Sequence, residues 1–425
     1  MQAFLHAHAT HPDWRIALAL AAAQLDAQAQ AQSGMRRHAS SGADTTTTPT
    51  LGWVYLTEHY ATHSEALLAE LQSRWPGVAW VGATGVGVAA SGVEYFDDHD
   101  GALVLMLAAI PTTQFRVFSG ARPLRQFAAN TALVHADPAT ADLPELIRDM
   151  AGRTDSGYLF GGLASARASC RHIADTVLTG GLSGVAFSRE VAIVSRVTQG
   201  CQPVGPTREI TAAERNVITE LDGRPALDCL LRDVQLEGRE PREALPRLRQ
   251  VLVGLSNSPD EMPAASTGAV VRGAFGDDVR VRHLIGLDPG RRGIAIGDVA
   301  EPGMRLAFCS RNTEAARRDL VRICAEVREE TEPEFTPQLA ATPASALPES
   351  GPPTSGIAGA VYVSCAGRGG PHFGAPSAEL ALVRHALGDV PLVGFFAAGE
   401  IAHANLYGYT GVLTVFRRLR DTLPG

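Results

Sequence analysis

Two stretches near opposite ends of the chain, VAWVGATGVGV (78–88) and VPLVGFFAAGE (390–400), align without a gap and place Gly82 on Gly394 and Gly87 on Gly399. Each follows a strand–helix pair, with strands at 51–57 and 360–364 and helical periodicity over 63–75 and 377–387. Each also leads into a glycine-led strand, GALVLML (101–107) or GVLTVF (411–416). A further echo, GLSGVAF (181–187), comes after Gly161 and Gly162. The pattern predicts an internal duplication in which N- and C-terminal segments are equivalent halves. Glycines that any strand–helix–strand unit carries at its turns are the alternative, and it stays open. The expected fold is α/β in the mixed α+β sense: two associated modules, 1–197 and 198–425, with mixed or antiparallel sheets flanked by helices. A long arginine-rich helix is expected over 314–330, with Leu320, Ile323, Cys324 and Val327 on its apolar face. SGMRRHASSGADTTTTPT (33–50) lacks apolar periodicity, and 331–356 is rich in Pro, Ala and Ser. Both read as flexible insertions.

All 37 basic residues are arginine, so the chain has no lysine. That removes the P-loop, protein-kinase and pyridoxal chemistries, each of which needs one. The remaining cations are planar and bidentate, suited to carboxylates and phosphates. A formal charge of −8, with arginines scattered in short pairs, argues against nucleic acid and against anionic membranes as partners. The longest apolar stretch, 102–110, is about half of what a bilayer span needs, so no membrane insertion is expected. Near the N-terminus, an amphipathic helix starting near Pro12 accounts for the apolar residues 16–23 better than a secretion signal does. The six cysteines are dispersed without a CxxC pair, which suits reduced thiols and a cytoplasmic location.

The middle and end of the chain carry a distinctive series of runs. They are GGLASARAS (161–169), GGLSGVAF (180–187), QGCQPVGP (199–206), NVITELDGRPALDCL (216–230), LIGLDPGRRGIAIGD (284–298), EPGMRLAF (301–308), CAGRGG (365–370) and GFFAAGEIA (394–402). In this order they resemble the FIST family, a paired N-terminal and C-terminal module described as a sensory domain of intracellular signal transduction. The resemblance runs from about residue 15 to 418, apart from the two insertions. It implies that 1–197 is the FIST N-terminal-like part and 198–425 the FIST C-terminal-like part. It also implies a small ligand, an amino acid being the usual proposal, and a signalling protein as partner. No catalytic residues carry over from it. With no room for a kinase, receiver or F-box, the chain is expected to be a stand-alone version.

The first candidate site is C-terminal. Cys365 and Arg368 follow one strand and Gly394, Gly399 and Glu400 another, where the carboxyl ends of strands in α/β sheets receive ligands. Arg368 suits a ligand carboxylate and Glu400 an ammonium, together a clamp for an amino acid, with Asn405, Tyr409 and Thr410 as neutral hydrogen-bonding groups. The alternatives are that Arg368 and Glu400 pair with each other or that Glu400 caps a helix. Val88 stands where the C-terminal half has Glu400, so one site per chain is expected.

The secondary candidate joins Gly161, Gly162, Arg167, Gly181 and Ser183 as an anion cradle, against the plainer reading of tight turns. Ser183 lacks the full GxSxG elbow. Cys201 and Cys365 are the candidate nucleophiles among the cysteines, with Arg368 placed to lower the pKa of Cys365, but no histidine is tied to either. Asp222 and Asp288 read as turn formers. His6, His8 and His11 lack the partner spacing of a metal site. No metal, cofactor or catalytic residue is expected. An enzyme of unassigned hydrolase or transferase type and a ligand-free interaction scaffold are the other classes left open.

Overall fold

The computed structural model describes residues 3–37, 48–96, 100–238, 247–248, 250–257, 279–332 and 356–418. Three six-stranded mixed sheets and one closed antiparallel barrel account for the strands among them. The expected duplication proves to be a triplication.

Every unit contributes an edge strand, a leading strand, a helix, a companion strand parallel to the leading one, a short hairpin, and a closing strand antiparallel to the leading one. In the first unit these are Leu5–Thr10, Leu51–Thr57, helix α2 (Ser64–Arg74), Ala79–Gly85, the hairpin Gly87–Ala90/Val93–Phe96, and Ala102–Ala108. Helix α1 (Trp14–Arg37) lies between the edge and leading strands. In the second unit they are Phe115–Ser119, Thr131–Ala136, helix α3 (Leu143–Ala151), Tyr158–Leu163, the hairpin His172–Ala174/Val177–Leu178, and Leu182–Phe187. The GLSGVAF echo is this unit's closing strand. In the third unit they are Ile193–Gln199, Ile357–Cys365, helix α6 (Ala378–Leu387), Leu392–Ala397, the hairpin Glu400–His403/Asn405–Tyr407, and Thr410–Arg417. The barrel, with helix α4 (Ala226–Asp233) inserted in its chain, and helix α5 (Thr313–Thr331) stand where the first unit has α1.

The register explains the glycine match. Gly82, Gly161 and Gly394 each sit opposite the leading strand, facing Val54, Val134 and Tyr362. A Cβ there would meet the carbonyl oxygens of those residues at 1.7, 2.0 and 1.7 Å, so only glycine lets the parallel strands approach.

No unit keeps its own hairpin. The first unit's hairpin pairs with the third unit's companion strand (Val393↔Ala90), the third's with the second's (Glu400↔Gly162), and the second's with the first's (His172↔Ala83). The exchange is cyclic, and it covers one edge of each sheet with chain from another unit. The boundary drawn from sequence at 197/198 falls inside the strand Ile193–Gln199, the edge of the third sheet.

One face of each sheet turns to a common core. Trp53 meets Phe416 at 5.4 Å, Tyr55 stacks on Phe395 at 5.0 Å and Phe187 meets Phe416 at 5.5 Å, so aromatic pairs join all three sheets. The outer faces are covered by helices through Leu18 and Leu25 of α1, Leu67 and Leu71 of α2, Ile147 and Met150 of α3, and the expected Leu320, Ile323, Cys324 and Val327 of α5. Asn312 caps α5, its side chain accepting from Ala315 N at 2.8 Å.

The barrel closes because Arg305–Arg311 is paired on both edges. Cys201–Pro203 and Arg208–Glu214 lie on one side and Val251–Ser256 on the other; the ring runs on through Val217–Leu221, Gly293–Ile296 and Arg280–Asp288. Helix α1 runs on to Arg37, inside the first expected insertion, and α5 ends at Thr331, where the second was expected to begin. Residues 38–47 and 333–355 lie outside the described residues.

Candidate functional site

The third unit's leading strand ends at Cys365 and turns back sharply, Ala366 N donating to Ala397 O at 2.8 Å. This turn puts Arg368 inside the protein, 1% exposed, beneath the first turn of α6. Its Nε and Nη2 donate to Glu379 Oε1 at 2.9 and 2.7 Å, its Nη1 reaches Thr198 O at 3.4 Å, and its guanidinium lies 5.1 Å from the Phe373 ring. Glu379 also accepts from Tyr362 Oη at 2.7 Å and from Ser364 Oγ at 2.9 Å. The pair is neutral and hydrogen-bonded on both sides, the condition under which buried charges are tolerated. Arg368 therefore pairs with an acid, but with Glu379 rather than Glu400. Sequence reasoning passed over Glu379; its signal was an acid in the first helical turn after an arginine-bearing loop.

Glu400 opens the exchanged hairpin and is fully buried. Its Oε2 accepts from Thr410 N at 3.1 Å and Thr410 Oγ1 at 2.6 Å, while Oε1 has no hydrogen-bond partner among the described residues. Burial pushes its pKa up to about 8; the Thr410 hydrogen bonds and, more weakly, the Arg368 charge and the Cys365 thiol oppose the rise. Glu400 is thus a protonated acid at neutral pH. Two further buried acceptors without partners, Thr198 Oγ1 and Gln199 Oε1, stand on the neighbouring edge strand, whose residues 198 and 199 face Gly411 and Thr410. Burial and the nearby Glu400 raise the Cys365 thiol to about 12, with Arg368 a minor opposing influence. The expected lowering of that thiol by Arg368 is overturned, because desolvation dominates.

Gly161 and Gly162, from the secondary candidate, meet the first candidate here: they pair with Ile401 and Glu400. A Cβ on Gly162 would lie 2.9 Å from both Ala397 Cβ and Gly399 O, so its bareness lets the exchanged hairpin dock. The other secondary residues lie elsewhere. Arg167 is exposed and its guanidinium pairs with Glu58 at 3.5 Å. Ser183 Oγ is buried 2.6 Å from His172 Nδ1, and Gly181 occupies a turn at φ +70°. Asn405 sits at the hairpin tip opposite Ala402, at the far end from Glu400, and Gly394 lies mid-strand. Register places Val88, His172 and Glu400 at equivalent corners of the three hairpins, and His172 is spent on Ser183 and Gly180 O. His6 and His8 lie within hydrogen-bonding distance of Ser91 and Tyr95.

Tyr409 closes the site on the barrel side. Its ring lies 3.0 Å from where a Cβ on Gly367 would be, its Oη is 2.8 Å from His283 Nε2, and Arg311 Nη2 donates to the same oxygen. Its backbone accepts from Gly200 N at 3.0 Å. Cys201, Cys309, Val281 and Tyr409 form a small apolar cluster with Cys365 packed against it, which joins barrel to sheet. The result is a buried acid with an uncommitted oxygen, beside a fixed Arg–Glu pair, under a tyrosine at a seam.

Comparison with known proteins adds a family. The FIST N domain matches residues 50–224 and the FIST C domain residues 226–403. An uncharacterized protein of Mycobacterium tuberculosis is 30% identical over 395 residues, covering 87% of this chain and 91% of its own. An uncharacterized protein of Mycobacterium bovis is 33% identical over 254 residues, 56% of this chain and 54% of its own.

Proposed function

The chain belongs to the FIST family, whose domains are sensory and ligand-binding rather than catalytic, and on that footing we propose that it is an intracellular sensor of an amino acid or a closely similar metabolite. The observation that carries the reading is Glu400, a fully buried carboxyl with one oxygen that has no hydrogen-bond partner among the described residues. A buried polar atom without a partner is costly, and a ligand ammonium supplies a donor to satisfy it. Cys365, Thr410 and Tyr409 border the site, while Arg368 acts through Glu379 to hold the turn that carries Cys365.

Because empty Glu400 holds a proton at neutral pH, taking an ammonium requires it to ionise, and binding releases that proton. The conformational change of the exchanged hairpin is then what a protein partner reads. A cytoplasmic setting agrees with the six free cysteines, and no helix among the described residues is long and apolar enough to cross a membrane. Thermal-shift measurements against the twenty amino acids test the reading, since a ligand of the folded state raises the melting temperature by mass action. A shift abolished by Glu400→Gln, with calorimetry showing proton release, supports it. If no amino acid shifts the wild-type chain, the reading is wrong.

A further inference from the structure

Arg368 is committed to Glu379, so the negative end of a ligand resting on Glu400 needs another cation. Arg311, the last residue of the barrel strand Arg305–Arg311, meets the need. It is exposed and makes no ion pair among the described residues. Its guanidinium lies 3.9 Å from the Tyr409 ring centre, and its Nη1 is 3.6 Å from where a Cβ on Gly367 would stand. Register sets it opposite Cys201.

Tyr409 separates this cation from the buried acid. Its neighbour Thr410 donates twice to Glu400, while its own hydroxyl is held from outside by Arg311 and His283. It also sits at φ +60°, a left-handed conformation that is costly for a bulky side chain and persists only where the surroundings enforce it. The residues that hold it are His283 and Arg311 from the barrel and Gly200, the link between the sheet's edge strand and the barrel. A side chain held this way, over a glycine turn at a seam between two elements, is placed to swing aside.

We propose that the seam between barrel and third sheet is the ligand's port, with Tyr409 as its latch and Arg311 as the anchor for the carboxylate of an α-amino acid whose ammonium rests on Glu400. This rests on the reading of Glu400 given above and deepens it. Displacing the Tyr409 hydroxyl frees the Arg311 fork for a bidentate carboxylate, a geometry guanidinium suits. Opposite charges on the two sides of one residue select a zwitterion: an amine alone leaves Arg311 unmatched, and a carboxylic acid alone brings a second acid to Glu400.

The test is calorimetry on the full chain with each amino acid that raises its melting temperature, and with the methyl ester of each. Arg311→Gln is expected to weaken the amino acid by roughly tenfold to a hundredfold while leaving the ester, already weak, unchanged. The unchanged ester also shows that the variant is folded. Tyr409→Phe, which keeps the ring and removes the latch hydroxyl, is expected to tighten the amino acid several-fold, because less of the chain is held in the closed form. If Arg311→Gln binds acid and ester in the wild-type ratio while Glu400→Gln binds neither, the anchor is refuted and the ligand reading stands. If no amino acid binds the wild-type chain, both fall.

Discussion

Replacing Glu400 by glutamine removes one titration and little else. The Gln side-chain carbonyl still accepts from Thr410 N and Thr410 Oγ1, as Glu400 Oε2 does at 3.1 and 2.6 Å. In the folded chain burial raises the Glu400 pKa from 4.5 to about 8, whereas the unfolded chain ionises near the ordinary value. Between those pH values the folded state keeps a proton that the unfolded state has released. The contribution is therefore fully present below about 4.5, is lost as pH rises, and levels off above about 8. Integrated, the loss is roughly 2 to 3 kcal/mol between pH 5 and 7 and about 1 kcal/mol more by pH 9. The glutamine variant lacks this dependence, so its advantage over wild type widens by those amounts. Urea unfolding of both chains at pH 5, 7 and 9, followed by tryptophan fluorescence, measures the difference while other titrations common to both cancel. A difference that stays constant with pH refutes the reasoning, and means that the Arg368 charge holds Glu400 ionised despite its burial.

Three further outcomes follow from the same geometry. Arg368→Met strands the Glu379 carboxylate in the interior and is expected to cost about 3 to 5 kcal/mol, most of it recovered in the Arg368→Met/Glu379→Met double variant; urea midpoints decide it. His135, fully buried with Nε2 at 3.1 Å from Tyr55 Oη, is lowered to about 3 by burial and by His172, so it destabilises the fold as pH falls below about 6.5. Its replacement by glutamine should gain roughly 2 kcal/mol relative to wild type between pH 6.5 and 5, in denaturant titrations at the two pH values. The Cys365 thiol, raised to about 12, should react with iodoacetamide at pH 8 on the order of a thousandfold more slowly than an exposed cysteine; peptide mass mapping after timed alkylation reports it, and rapid labelling contradicts the burial argument.

What the sequence made legible is what local geometry dictates. Gly82 and Gly394 stood out because a Cβ on either would stand 1.7 Å from a carbonyl oxygen of the parallel leading strand, a demand written into one residue at a fixed offset from its helix. The apolar face Leu320, Ile323, Cys324 and Val327 followed in the same way from helical periodicity. The third copy was half visible: Gly161 does the same work as Gly82 and Gly394, but in the sequence it resembled a ligand loop. The hairpin exchange was not visible, since Gly87–Ala90 pairs with Val393–Phe395 across some 300 residues, and no local pattern names a strand's partner. The barrel escaped for the same reason, because its closure depends on Val251–Ser256 finding the far edge of Arg305–Arg311. At the site, Arg368, Glu400, Cys365, Tyr409 and Thr410 are near one another as the strand ends suggested. The partner of Arg368 was not readable, because Glu379 looks like any helical first-turn acid until the turn is seen to place the guanidinium under it.

The cyclic exchange also bears on how the two family-matched parts relate. The FIST N match at 50–224 includes the hairpin Gly87–Ala90/Val93–Phe96, which completes the third sheet, and the FIST C match at 226–403 includes Glu400–His403, which completes the second. Each part therefore supplies a strand the other lacks. Separated, each would expose a companion-strand edge, Leu392–Ala397 in one and Tyr158–Leu163 in the other, with unpaired backbone groups along it. The aromatic pairs Trp53–Phe416 and Tyr55–Phe395 would be split as well. Glu400 lies on one of these exchanged hairpins: its backbone is paired with Gly162 of the second unit and its side chain with Thr410 of the third. Any force on that carboxyl is thus felt directly by two sheets, whereas the corner at Val88 offers no charge to pull on. Of the three equivalent corners, Val88 has no polar side-chain atom and the His172 ring lies within hydrogen-bonding distance of Ser183 Oγ and Gly180 O, whereas Glu400 keeps an oxygen without a partner among the described residues.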